Sequence, residues 1–203
     1  MKQNIKIIRT ISMLILLMTF SRCSNIGEQH DIANKKEATS KIEKTNEHPV
    51  TAEDSMKLFS NNLMVTGDIE HPLNLTVDSL KKMNVVTLDS LNIVCQTGAV
   101  IGHLKNSRAV LLKDILNKAV IKQYNHKDRN FYIVARATDG YKATFSWAEI
   151  FNNPTGENTY IVFEENNKPL TKKGAMMLNC NNDIKTGPRH VNWLKSIEIN
   201  RVD

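Results

Sequence analysis

The most reactive side chains in this 203-residue chain are three cysteines, Cys23, Cys95 and Cys180. A thiol can ligate a soft metal, join a disulfide or simply fill a core. No two of the three form a CxxC pair, so the chain carries no zinc signature. Cys95 closes a stretch of Val, Thr, Leu and Ile over residues 85–95, where a small buried hydrophobe is an ordinary occupant of a strand end. In an oxidising compartment Cys95 and Cys180 are enough for one disulfide, and their spacing leaves open whether the side chains meet. No glycine-rich loop opens a helix, which disfavours the nucleotide-binding folds.

The remaining cysteine belongs to a different part of the chain. Lys2, Lys6 and Arg9 form a positive start, and residues 11–20 (ISMLILLMTF) form an apolar run of ten. A helix that crosses a bilayer needs roughly 20 apolar residues, so this run reads as an export signal and not as a permanent span. Cys23 follows directly, as in bacterial lipoproteins, whose signal is cut before a lipid-carrying cysteine; Arg22 stands where a small residue is usual. No twin arginine is present, so the address is the general secretory route. The expectation is a signal peptide over residues 1–22 and a protein of the cell envelope or periplasm, touching membrane only through a lipid on Cys23. The formal charge of +6 falls to 23 basic against 21 acidic residues without that segment. A nearly balanced mature chain gives no electrostatic case for nucleic acid.

The elements that must position Cys95 start after a polar stretch. Residues 23–58 mix charges with Asn, Thr and Ser, show no sustained period and read as a flexible tether. A folded domain is expected over residues 59–203. Residues 63–69 suggest a strand that ends at His71-Pro72, and Thr76 can cap a short helix through Lys82. Residues 85–95 suggest strand with a break at Asp89-Ser90. Residues 110–119 place Leu111, Leu112, Ile115 and Leu116 on one helical face. Residues 130–137 read as a strong strand, Asp139-Gly140 as a hairpin turn and residues 141–145 as its return. Ser146 and Glu149 have capping-box spacing for another short helix. Strands over 159–163, 176–178 and 193–202 complete the set. Many strands with a few short helices predict an α+β fold with a mixed, barrel-like sheet core.

In their order, several local patterns resemble one family. Val65-Thr66-Gly67, His71-Pro72-Leu73 and residues 75–80 resemble the opening of the sulfite oxidase-type molybdopterin-binding domains. Residues 109–116 resemble a following helix, Asp139-Gly140-Tyr141 a recurrent turn, and Gly187-Pro188-Arg189-His190-Val191-Asn192-Trp193-Leu194 the segment that helps hold the pterin. The resemblance spans about 140 residues. It places Cys95 at the molybdenum-ligating cysteine, Arg189 and His190 at the pterin or its phosphate, and His103, in the loop after Cys95, at the pocket edge. A cysteine thiolate is a soft ligand suited to a metal already held by dithiolene sulfurs, and a guanidinium fork suits a phosphate. The implied activity is oxygen-atom transfer on a small substrate, with a molybdenum-molybdopterin cofactor and a separate redox partner protein. The run from Cys95 to Val100 holds no cation to receive an anion, which argues against sulfite, and Asn192 stands where lysine is common.

A second function stays open beside the first. A chain exported unfolded by the secretory route arrives without cofactor, and fold does not fix function. A cofactor-free descendant would bind a small ligand or an envelope protein in the old pocket. By residue type alone, Arg189 and His190 read equally as surface groups making ordinary ion pairs. His103 reads as a solvated loop residue and Trp193 as a core anchor, while Tyr141 packs its ring with its hydroxyl in water.

Overall fold

A computed structural model of the chain describes residues 52–202. The expected signal peptide, Cys23 and the tether up to residue 51 lie outside the described residues. The described chain opens with a short helix, α1 (Ala52–Lys57), inside the stretch read as tether. Just after it, the carbonyl of Leu58 accepts the Thr138 hydroxyl at 2.5 Å, and Phe59 packs against the core.

Ten strands then form two sheets with no closed barrel, a mixed α+β core with a few short helices. In the first sheet β1 (Leu63–Gly67) lies between β2 (Leu73–Leu75) and β10 (Leu194–Arg201), followed by β5 (Phe131–Ala137) and β6 (Lys142–Ser146). The β1–β10 pair is parallel and joins the two ends of the domain, while the other pairs are antiparallel. In the second sheet β3 (Val85–Val94) and β4 (Val100–Leu111) form a long antiparallel hairpin, and β4 also pairs with β7 (Thr159–Glu165). The far edge of β7 is shared: β9 (Met177–Cys180) takes its first half and β8 (Lys168–Pro169) its end.

Alternation along the strands decides what is buried. Leu63 and Val65 of β1, Ile133 and Ala135 of β5, and Ile197 and Ile199 of β10 all face the core, as the period of two requires. Helix α3 (Leu112–Ala119) covers them with Leu112, Ile115, Leu116 and Ala119, a single stripe at helical spacing. The second sheet carries a smaller apolar cluster on its other face, with Leu91, Ala109, Val162, Leu170 and Met177. That outer face becomes the floor of a cleft.

Local chemistry sets several boundaries. Thr76 caps α2 (Val77–Leu80) by accepting the Ser79 amide, and Ser146 and Glu149 close a full capping box on α4 (Trp147–Phe151). Gly140 turns the β5–β6 hairpin with a φ of 94°, and the Ala137 amide reaches the Tyr141 carbonyl at 2.9 Å. Asn166 and Asn167, at φ 50° and 59°, make the β7–β8 turn, an Asn-Asn pair that sequence reading passed over.

Three expectations are corrected. β3 runs unbroken through Asp89 and Ser90, because its register with β4 continues past them. The helix expected from residue 110 begins at Leu112, since Val110 and Leu111 finish β4 and pair with β7. The stretch read as a loop after Cys95 is mostly β4, so His103 is a strand residue opposite Asn92.

Candidate active site

Cys95 sits at the tip of the β3–β4 hairpin. Its amide donates to the Ala99 carbonyl and its carbonyl accepts from Gly98, both at 2.9 Å, so five residues turn the chain around the thiol. The thiol is half-buried and unpaired, with Thr97 Oγ1 at 2.8 Å from its sulfur. The Thr97 hydroxyl lowers the thiol's pKa; partial burial opposes it, and the amides of Thr97, Ala99 and Gly98 add to the lowering. These contacts favour the thiolate, the form that binds metals. Cys180 is the opposite case. It is fully buried on β9, and burial raises its pKa. Both thiols are free.

The segment of residues 186–194 crosses from one sheet to the other beside this tip. Thr186 Oγ1 donates to the Asn92 carbonyl at 2.7 Å and accepts the Val94 amide at 2.9 Å, which pins the segment to the open edge of β3. Gly187 then lies directly against Cys95: a Cβ there would stand 2.8 Å from the Val94 oxygen and 3.2 Å from the Cys95 Cα. Tyr141 donates its hydroxyl to the Pro188 carbonyl at 2.8 Å, so that hydroxyl is bonded and not in water as expected. Val191 makes a bridge with Leu178 of the second sheet. Trp193 bends the chain into β10 with a φ of 47°, a left-handed conformation costly for a bulky residue. Its amide donates to the Lys173 carbonyl at 2.7 Å and its carbonyl accepts the Thr138 amide at 3.0 Å.

This crossover shapes two adjoining clefts with a shared wall of Ile93, His190 and Asn192. The smaller, about 380 Å³, opens on Cys95, with Gln96, Asp139 and Tyr141 around it. The larger, about 430 Å³, lies over the outer face of the second sheet and is lined by His103, Leu104, Met177 and the β8 loop. Both volumes are in the range of small-ligand sites.

On the shared wall, His190 Nδ1 donates to Asn179 Oδ1 at 3.2 Å, and Asn179 is fully buried. Burial and the nearby Lys173 charge push the His190 pKa down to about 4, with the Asn192 side chain opposing them. The ring is therefore neutral at pH 7. Beside it, the Asn192 side chain bonds to the ring, and Trp193 Nε1 is buried without a hydrogen-bond partner. Orphaned polar atoms are rare in native interiors and mark places where a ligand or water completes the bonding.

The structure brings Cys95, His103 and His190 to these clefts and places Arg189 elsewhere. The Arg189 guanidinium is forked onto Asp183, with Nε to Oδ2 at 2.8 Å and Nη2 to Oδ1 at 2.5 Å. Its Nη1 donates to Glu149 Oε1 at 2.8 Å, and its plane lies 4.4 Å from the Phe145 ring centre. Glu149 thus serves two elements, accepting the Ser146 amide of the α4 cap as well. Arg189 lines neither cleft. His103 donates from Nδ1 to Asn92 Oδ1 at 2.6 Å, across the β3–β4 pair. Sequence reading passed over Asn179, Thr186, Thr97 and the lysines of the β8 loop. Only the Lys172-Lys173-Gly174 run between two strands offered a visible signal.

Residues 49–203 match the sequence model of the oxidoreductase molybdopterin binding domain. The chain belongs to this family. Its fold is similar to that of the sulfane dehydrogenase SoxCD from Paracoccus pantotrophus, with a TM-score of 0.50 and 16% identity. That likeness covers 68% of this chain and 38% of the SoxCD chain, so this chain spans well under half of that neighbour's length. At such identity the likeness speaks for the fold alone. No curated protein matches the chain.

The residues present fit the cofactor that the family name implies. Among the described residues no three His, Cys, Asp or Glu side chains gather as a metal cage, so a metal here needs ligands beyond the protein's own. A molybdopterin brings sulfur ligands, and Cys95 offers one more soft donor beside a cleft. His190 and Asn192 put polar side chains on the shared wall, which suits the polar edge of a pterin.

Proposed function

We propose that this chain is an exported oxidoreductase domain that holds a molybdenum-molybdopterin with Cys95 as the protein's metal ligand. The observation that carries the reading is the donor-surrounded Cys95 thiol opening onto a cleft walled by His190 and Asn192. When bound, the cofactor supplies oxygen-atom transfer coupled to two-electron redox chemistry. The chain's own residues do the rest. Thr97 and the hairpin-tip amides lower the Cys95 pKa and so favour its thiolate. His190 stays neutral and fixed by Asn179, and Asn192 offers an acceptor beside it. His103, tied to Asn92, stands at the rim of the larger cleft.

The substrate we propose is small, and Asp139 is the one carboxylate among the described residues that line the Cys95 cleft, while the Lys185 ammonium stands beside Gly98 at the hairpin tip. Electrons leave to a separate partner protein. The positive start, the ten-residue apolar run and Cys23 support placement at the cell envelope, held to the membrane by a lipid on Cys23. The test is molybdenum by elemental mass spectrometry, with pterin fluorescence after denaturation, on chain purified from its native envelope. About one metal and one pterin per chain, with the metal lost in Cys95→Ser, is the expected result. An empty chain from cells whose other molybdoenzymes are loaded would refute it.

A further inference from the structure

Much of the β3–β4 hairpin reaches past the rest of the second sheet. β3 is the edge of that sheet, and β4 pairs with β7 over residues 107–111. Residues 90–105 therefore form a two-stranded arm with Cys95 at its tip. A two-stranded ribbon is marginally stable by itself, so its place depends on what holds it. The arm supplies a wall to each cleft, Ile93 and Cys95 in the smaller and Ile93, His103 and Leu104 in the larger. The crossover supplies His190 and Asn192 to both. The width of each cleft is thus the distance between arm and crossover.

The arm has a pivot at its base and a clasp near its tip. Between the Leu88–Ser107 and Ser90–Lys105 pairs, Asn106 takes a φ of 45°, a left-handed kink inside a strand. The β7–β8 turn grips that kink. The Asn166 amide donates to the Asn106 carbonyl, and the Lys105 amide donates to Glu165 Oε1, both at 3.1 Å. Nearer the tip, the Thr186 hydroxyl bonds the Asn92 carbonyl and the Val94 amide. Among the described residues, these two are the hydrogen bonds that tie residues 90–104 to anything outside the arm. Leu91 and Leu104 add apolar contact with the outer cluster of the sheet. Thr186 is 8% exposed, so its bonds are shielded from water.

We infer that Thr186 is a positioning residue: its hydroxyl latches the arm to the crossover and so sets where Cys95 stands from His190. When the latch opens, the arm turns about Asn106 and both clefts widen together, which admits and releases their ligand. The latch follows from the geometry of arm and clasp. That the ligand so held is a Cys95-bound cofactor rests on the reading above.

The test uses the full apo chain and two reagents of one chemistry, N-ethylmaleimide and a bulky pyrene maleimide, followed on the Cys95 peptide by mass spectrometry. The ratio of their rates cancels the thiolate fraction and reads access to the tip. Thr186→Val keeps the shape and removes both bonds. It raises the bulky-to-small ratio about 5- to 30-fold, the worth of one or two net hydrogen bonds. Thr186→Ser keeps the hydroxyl and the wild-type ratio. Ile150→Val, a change in the core at α4, lowers overall stability and leaves the ratio unchanged. A ratio unmoved by Thr186→Val, or moved equally by Ile150→Val, overturns the latch and leaves the cofactor reading standing. Hydrogen exchange gives a check on wild type itself: the Val94 amide exchanges at least about tenfold faster than the paired amides of β7, through local opening. Equal rates would mean that the arm opens only when the domain unfolds, and would overturn the latch. A native chain that holds no metal overturns the cofactor reading, and the maleimide ratio still decides the latch.

Discussion

Replacing Arg189 by glutamine separates a structural role from a ligand-binding one. The substitution removes the fork onto Asp183, the bond to Glu149 and the stack on Phe145. The side chains of Arg189 and Asp183 are 20% and 16% exposed, and that of Glu149 is 38% exposed. Breaking a fully buried pair costs roughly 3–5 kcal/mol, and an exposed one up to about 1 kcal/mol. Between those limits, with Asp183 left nearly buried and unpaired, the loss should be about 3 kcal/mol. With a urea slope of about 1–3 kcal/mol/M, the unfolding midpoint falls by roughly 1–3 M. Arg189→Lys keeps the charge but not the fork and recovers less than half of the loss. The effect is also pH-dependent. Burial raises the Glu149 pKa, but the Ser146 amide and Arg189 outweigh it and hold the carboxyl below its ordinary 4.5. A depressed carboxylate stabilises above its unfolded value, and the contribution is lost as pH falls through the folded one. The gap between wild type and variant should therefore narrow in acid. A loss below about 1 kcal/mol at pH 7 would refute the structural assignment and make Arg189 a ligand contact again.

Two further outcomes test the site itself. Cys95 should alkylate with iodoacetamide below the pH usual for a thiol, while Cys180 reacts only on unfolding. Thr97→Val moves the Cys95 profile to higher pH, slowing reaction at neutral pH by up to about tenfold for each pH unit it moves. A profile unmoved by Thr97→Val would show that the hydroxyl does not hold the thiolate. By NMR titration the His190 ring should remain neutral through pH 5 and titrate near 4, with Lys173→Gln raising that value. Because the unfolded ring takes its proton near 6.5, stability from neutral His190 is complete above that pH and is lost on the way down to about 4. His190→Gln should flatten that part of the stability profile, and an unchanged slope would place the acid sensitivity elsewhere.

What the sequence shows of this fold follows from which forces are local. The capping box of Ser146 and Glu149, the Thr76 cap and the Asp139-Gly140 turn are decided within four residues, and each stands where the pattern puts it. The α3 stripe is visible for the same reason, since one face of a helix is a matter of spacing. Its first residue is not, because Val110 and Leu111 pair with β7, some 50 residues away in sequence. β4 is the largest omission. Residues 100–108 alternate poorly, with Val100 and Ile101 exposed and Gly102 and Lys105 among them. They become strand because β3 supplies a long complementary edge.

The candidate site divides the same way. Cys95 is visible as a residue, but what holds it is not, since three of its supports come from far along the chain. Thr186 bonds to β3, Gly187 fits against the Cys95 backbone, and Tyr141 fixes the Pro188 carbonyl. The Gly187-Pro188-Arg189-His190 run draws attention to Arg189, the residue with the strongest charge. In the fold, however, its neighbours Gly187 and His190 meet the clefts while Arg189 faces Asp183 and Glu149. An arginine set between two cleft-lining residues is committed by whichever carboxylates the fold brings to it, and those lie 6 and 40 positions away. The lysines of the β8 loop show the converse. They look like ordinary solvated residues until β7 shares its edge between β8 and β9 and turns that loop over the outer face of the sheet. Charge in a sequence therefore says little about a site until the partners of each charge are known. Here the motif's arginine is already spent on the scaffold.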